Sequence, residues 1–223
     1  IDRMMSKDGG KVSALTINWE LRAAGTTYDI AGAVQMDKVQ TSDVAGVVSS
    51  HEGFGSGAFA SRGLDADSPC AVIPFFNRTE ELLSASNTWK GQPAAAIRKH
   101  TTTVTFSQPV DIASVLDSEM NFFIAPKQRT SEIHMPGYAP TASGIIGKGS
   151  FLPSDPYKFF VTEGDQAKNN YMMWALMIPG EFRYPAETND IRGVYEYFMA
   201  WASSNGAEHA EWYLESADAG RIY

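Results

Sequence analysis

The chain has 223 residues, 26 acidic against 18 basic side chains, a net charge of −8 and a 43% hydrophobic fraction. That balance excludes a disordered chain. With Arg98-Lys99-His100 as the densest basic run, it also argues against a nucleic-acid interface or a polybasic membrane contact. A protein of this length hides roughly 70–75% of its unfolded surface, and all-β sandwiches of about 200–250 residues form single domains. One domain over residues 1–223, acting as a monomer, is the expectation.

Val12 to Leu21 reads as a strand: Leu15, Ile17, Trp19 and Leu21 alternate with Thr16, Asn18 and Glu20, the pattern of a sheet with one buried face. Ile30 to Met36 follows as a second strand. Residues 41–70 then carry so many Gly, Ser and Asp residues that they read as a long loop-rich excursion, and loops of that length are often functional. Within it, Gly53-Phe54-Gly55-Ser56-Gly57 matches neither a nucleophile elbow, whose flanking glycines are replaced by Phe54 and Ala58, nor a dinucleotide fingerprint. It reads as close-packed or flexible backbone.

Ala71 to Phe76 is an apolar strand. Asn77-Arg78-Thr79-Glu80 predicts a cap for a short helix through Ser86. Thr101 to Phe106 is a strand of β-branched residues that Gln108-Pro109 stops. A helical turn over Asp111 to Leu116 and a strand over Asn121 to Ala125 come next. Glu132 to Tyr138 begins extended, and Lys158 to Thr162 and Tyr171 to Ile178 complete the strands. Ile191, Val194, Phe198 and Trp201 share one helical face, with Asn205-Gly206 as the stop. Ala207 to Glu215 reads as a second helix with Trp212 and Tyr213 facing inward. The predicted fold is mainly β, a β-sandwich or jelly-roll-like domain with two C-terminal helices.

Candidate chemistry is sparse. Glu132 and His134 stand two apart in an extended stretch, so they share a face and form a candidate ligand-binding, metal or acid–base pair. A structural histidine beside the Pro136-Gly137 turn is the alternative. His51, His100 and His209 fit surface or packing roles. Asp65 and Asp67 offer hard oxygens in a turn, a beginning for calcium, which takes about six to eight ligands; a solvated acidic turn is the alternative. Trp89, in the polar run Ser86 to Lys90, is the candidate exposed aromatic for stacking on a sugar, whereas Trp19, Trp174, Trp201 and Trp212 lie on apolar faces. Cys70 is the single cysteine, so no intrachain disulfide forms, and it reads as a small buried residue.

An ordered set of motifs carries a family resemblance. Thr103-Val104-Thr105-Phe106 with Pro109-Val110-Asp111 is followed by Phe122-Phe123-Ile124 and by Glu132-Ile133-His134-Met135-Pro136-Gly137-Tyr138-Ala139-Pro140-Thr141. Trp174 to Pro179, Phe182-Arg183-Tyr184-Pro185, Glu211-Trp212-Tyr213 and Arg221-Ile222-Tyr223 complete the string. In this order they resemble the LruC-domain family. The resemblance implies the C-terminal part of an exported or lipid-anchored bacterial protein at the cell surface, and lends no catalytic residue. Family members carry an acidic Asp-x-Asp-x-Asn-Asp run just ahead of the first strand, and Ile1-Asp2-Arg3-Met4-Met5 begins after that point, so the resemblance lends no calcium ligands from that run. The expectation is a non-catalytic recognition module for glycan or protein, with a glycan hydrolase or a purely structural domain as rivals.

Overall fold

The computed structural model describes residues 2–24, 29–83, 97–116, 119–135, 138, 141, 161–162, 171–172, 176, 178–204, 206–215 and 217–223. Ten strands are described: β1 (Asp2–Asp8), β2 (Lys11–Glu20), β3 (Ile30–Gln40), β4 (Val44–Ser49), β5 (Cys70–Phe76), β6 (Lys99–Asp111), β7 (Met120–Pro126), β8 (Ile133–His134), β9 (Val161–Thr162) and β10 (Tyr171–Met172). One antiparallel sheet has the order β1-β2-β6-β4 and a second the order β5-β3-β7-β8, while β9 and β10 form a separate ribbon. The chain therefore changes sheet at every step from β2 to β7. This is the expected β-sandwich.

Alternation places the core. Leu15, Ile17 and Trp19 of β2 and Val104 and Phe106 of β6 meet Val34 and Met36 of β3 and Ile73 and Phe75 of β5 in one buried cluster. Trp19 is tied there by a hydrogen bond from its indole Nε1 to Thr102 Oγ1 at 3.0 Å, which satisfies the ring's one donor.

Several expectations need correction. The sequence pattern predicts no strand ahead of Val12, yet β1 pairs with β2 from Asp2↔Asn18 to Asp8↔Lys11. The turn between them is Gly9-Gly10, with φ of 53° and 82°, the left-handed pair that a two-residue hairpin requires. Pro109 does not stop β6, which runs on to Asp111. Its missing N–H falls where the register with β2 shifts, between Val12 and Ala14, and an irregularity of this kind tolerates proline.

The 41–70 excursion is not one loop. Val44–Ser49 is an edge strand on β6, and the residues after it cross the outer side of the second sheet. There Phe59 packs with Ala31, Ala33, Val72, Phe123 and Ala125, burial worth about 1.5–3 kcal/mol for such a ring. Asn77 does not cap a helix. Its side-chain amide donates to Gly55 O and Phe59 O, both at 2.8 Å, and its Oδ1 accepts from Phe59 N at 3.0 Å. A Cβ at Gly57 would stand 3.0 Å from the Asn77 carbonyl oxygen, so the glycine-rich run reflects close packing. The predicted helix through Ser86 is a single 3-10 turn, Thr79–Glu81, with Leu82 and Leu83 following outside any helix; residues 84–86 lie outside the described residues, as do Lys158 to Phe160 and most of Tyr171 to Ile178 after Met172.

The C-terminal segment has its own apolar cluster. The helix expected over Ile191 to Trp201 is two short helices, α1 (Ile191–Val194) and α2 (Phe198–Ser203). They are separated where Tyr195 leaves the helix to bridge Ala217 and its hydroxyl donates to Arg183 O at 2.6 Å. Ala207 to Glu215 contains only a 3-10 turn, Trp212–Leu214; His209 at φ 48° breaks the right-handed run. Trp212 is buried as expected, edge-on to Phe182, Tyr195 and Phe198 at 4.9–5.8 Å.

Candidate functional site

The Glu132–His134 pair sits on the outer side of the second sheet, under the segment that follows β4. On β7, Phe122 turns toward the core, stacking with Phe75 at 6.4 Å, so Asn121 and Phe123 point the other way. β8 pairs Phe123 with His134, and the imidazole lies on the Phe123 ring with centroids 4.5 Å apart and planes at 16°. Its Nδ1 is 2.6 Å from Asn121 Oδ1 and its Nε2 is 2.9 Å from Glu132 Oε2.

Glu132 is the hub. Oε2 also accepts from Thr141 N at 2.8 Å, while Oε1 accepts from Thr141 Oγ1 at 2.6 Å and Arg129 Nε at 2.8 Å. Arg129 donates again to Thr141 Oγ1 at 2.8 Å, pairs with Asp65, and lies 4.5 Å above the Phe59 ring centre. A buried carboxylate normally costs several kcal/mol; this one has its lone pairs filled. Burial pushes the Glu132 pKa up, but hydrogen bonds from His134, Thr141 and Arg129 outweigh it and hold the carboxyl below its ordinary 4.5. A depressed carboxyl stabilises the fold above its unfolded pKa, and that stabilisation is lost as pH falls through the folded value.

Such a pair is poorly placed for direct contact with a ligand. Glu132 is 1% exposed and His134 2%. The Asp65 carboxylate, read as a calcium ligand, neutralises Arg129, and Asp65 Oδ1 accepts from Asp67 N at 3.3 Å. Asp67 itself is exposed. Among the described residues no three His, Cys, Asp or Glu side chains are grouped to hold a metal. Trp89 and Trp174 lie outside the described residues. Burial and the neighbouring Asp37 push the Cys70 thiol up, away from the reactive thiolate.

A second polar cluster gathers residues that no sequence spacing links. The His100 ring stacks on Trp19 at 4.8 Å and meets His51 at 5.0 Å. His51 Nε2 lies 3.3 Å from Glu81 Oε2, and Glu81 Oε1 accepts from Gly55 N at 2.6 Å. The rings come from β6, β2 and the segment after β4, so only the fold brings them together.

Burial, then His51 and Arg98, push the His100 pKa below 6.5. Its unfolded form takes up a proton first, so stability is full above about pH 6.5 and declines as pH falls toward the lower folded value. Melting followed from pH 8 to pH 5 is expected to show this slope, and His100→Phe is expected to flatten it. An unchanged slope in that variant would remove His100 as its source.

The architecture and the buried network define a two-sheet β-sandwich in which an acid–histidine pair joins strand, loop and covering segment. The chain belongs to the family described as Domain of unknown function (DUF4842), which matches residues 10–213. No curated protein matches the chain. Among solved structures it is similar to the crystal structure of a "Putative lipoprotein" from Bacteroides ovatus, with a TM-score of 0.66 and 18% identity, over 99% of this chain and 65% of that one. At that identity the likeness concerns the fold, and the chain spans about 65% of that protein's length. Among the described residues no helix is long and apolar enough to cross a membrane.

Proposed function

We propose that the chain is a non-catalytic recognition module of an exported, surface-associated bacterial protein, taking glycan or protein as its partner. The observation that carries this reading is the state of Glu132 and His134. The one acid–base pair the sequence singles out is saturated by Asn121, Thr141 and Arg129 and is almost wholly buried. A general acid or base must come within about 2.6–3.2 Å of a substrate proton, and this pair spends that reach inside the protein. The name of the Bacteroides structure and the resemblance to the LruC-domain family support export and a lipid-anchored setting.

Incubation of the 223-residue chain with neutral and acidic polysaccharides, scored for both retention and new reducing ends, tests the reading. Retention without cleavage is expected. Cleavage that Glu132→Gln abolishes while the variant remains folded would replace the reading with that of a glycan hydrolase.

A further inference from the structure

The outward face of the first sheet has an unusual composition for an acidic protein. Register places Asn18 beside Thr101, Thr16 beside Thr103 and Val48, and Ala14 beside Thr105 and Gly46. The opposite parity is turned inward, since Leu15, Ile17 and Val104 are wholly buried. Thr101 and Thr105 are exposed, and Thr16, Asn18 and Thr103 are half-buried. Val48, in the middle rung, is 74% exposed, the largest exposure among the large hydrophobic residues described.

None of these eight residues carries an ionisable group, although the chain carries a net −8. Charge lies beyond the patch, at Glu20 beside Lys99 and at the Lys11–Asp111 pair. On the flank, β1 brings Asp2, Met4 and Ser6 into register with Asn18, Thr16 and Ala14.

We infer that this face is a binding surface for a neutral, polyhydroxylated polymer, that is, an uncharged polysaccharide. The inference rests on the recognition reading above and gives it a ligand class and a location. Alternate residues of a strand stand about 6.8 Å apart and neighbouring strands about 4.8 Å apart, so Thr16, Thr101, Thr103 and Thr105 form a regular grid of hydroxyls. Each hydroxyl can donate and accept, as sugar hydroxyls do. Thr16 Oγ1 and Thr103 Oγ1 already bond at 2.9 Å, which holds two grid points in place.

Threonine is stiff at χ1, so ordering it on binding costs little side-chain entropy. The threonine methyls and Val48 meet the C–H surface of a sugar ring. An anionic or cationic ligand finds no counter-charge on the grid. A protein partner is disfavoured because the grid lacks the Trp, Tyr and Arg anchors that dominate protein interfaces, in which Thr and Val are under-represented.

Native affinity electrophoresis of the whole chain through gels containing dextran, mannan, xyloglucan or mixed-linkage β-glucan tests the inference. Retardation by at least one polymer is expected. Thr105→Lys and Val48→Glu, both at exposed strand positions and each checked for an unchanged melting temperature, should weaken it tenfold or more. Leu214→Glu, also exposed but outside both sheets, should not. Both signs of charge should act alike if the face works as a neutral surface.

Absence of retardation in every gel, or retardation that survives both face variants, overturns the inference; in the second case recognition stands and this face falls. Dimerisation abolished by the face variants, without retardation, overturns it in favour of a second copy. Cleavage of the polymer by wild-type chain contradicts the non-catalytic reading, whatever the face variants do.

Discussion

Glu132→Ala is expected to destabilise the fold by about 3–5 kcal/mol, the cost of removing one partner from a buried ionic network. The truncation leaves His134 Nε2, Thr141 N and the Nε of Arg129 without the acceptor each now has. All three are bonds to the ionised carboxylate, so the loss exceeds that of a surface pair, which is worth about 0–1 kcal/mol. Glu132→Gln keeps the volume and one carbonyl acceptor, and is expected to cost less, about 1.5–3 kcal/mol. Urea unfolding at neutral pH measures both. A change below about 1 kcal/mol for the alanine variant would mean that the network is not coupled to the fold.

Trp212→Ala is the second large effect, at about 3–5 kcal/mol for a buried tryptophan. Its ring meets Phe182, Tyr195, Phe198, Trp201 and Tyr213 with centroids 4.9–5.9 Å apart, so truncation opens a cavity at the centre of the C-terminal cluster. That cluster shares no buried residue with the one between the sheets. Hydrogen exchange should therefore accelerate most for the amides of α1 and α2 while β2 and β3 keep their protection. Equal loss of protection in both would show a single cooperative unit.

The sandwich was legible where periodicity was clean. Leu15, Ile17 and Trp19 announced β2, and the apolar run Ala71 to Phe76 announced β5, which the structure buries on both faces because the Phe59 segment covers its outer side. What misled was local chemistry overridden by distant contacts. Asn77 carries a capping signature but is used by Gly55 and Phe59, 18–22 residues away. Tyr195 breaks a continuous helical face because its hydroxyl and backbone find partners at Arg183 and Ala217.

The site divides in the same way. Two-residue spacing was enough to put Glu132 beside His134. Nothing local revealed Arg129 joining Asp65 across 64 positions, and that partner is what turns a candidate metal-binding carboxylate into half of an ion pair. Thr101, Thr103 and Thr105 were legible as a strand. Their gathering with Thr16 and Val48 on one uncharged face depends on the strand order β2-β6-β4, which no local pattern encodes.

The most direct test of the structural role given to Glu132 is the unfolding free energy of Glu132→Gln beside wild type, at neutral pH and in acid. The buried, saturated carboxylate predicts that the variant is less stable at neutral pH. It also predicts that the variant loses less on acidification, because the depressed carboxyl of the wild type no longer has to take up a proton. A variant as stable as wild type or more so, with an unchanged pH profile, would contradict the account and mark Glu132 as a residue kept for function at a cost to stability.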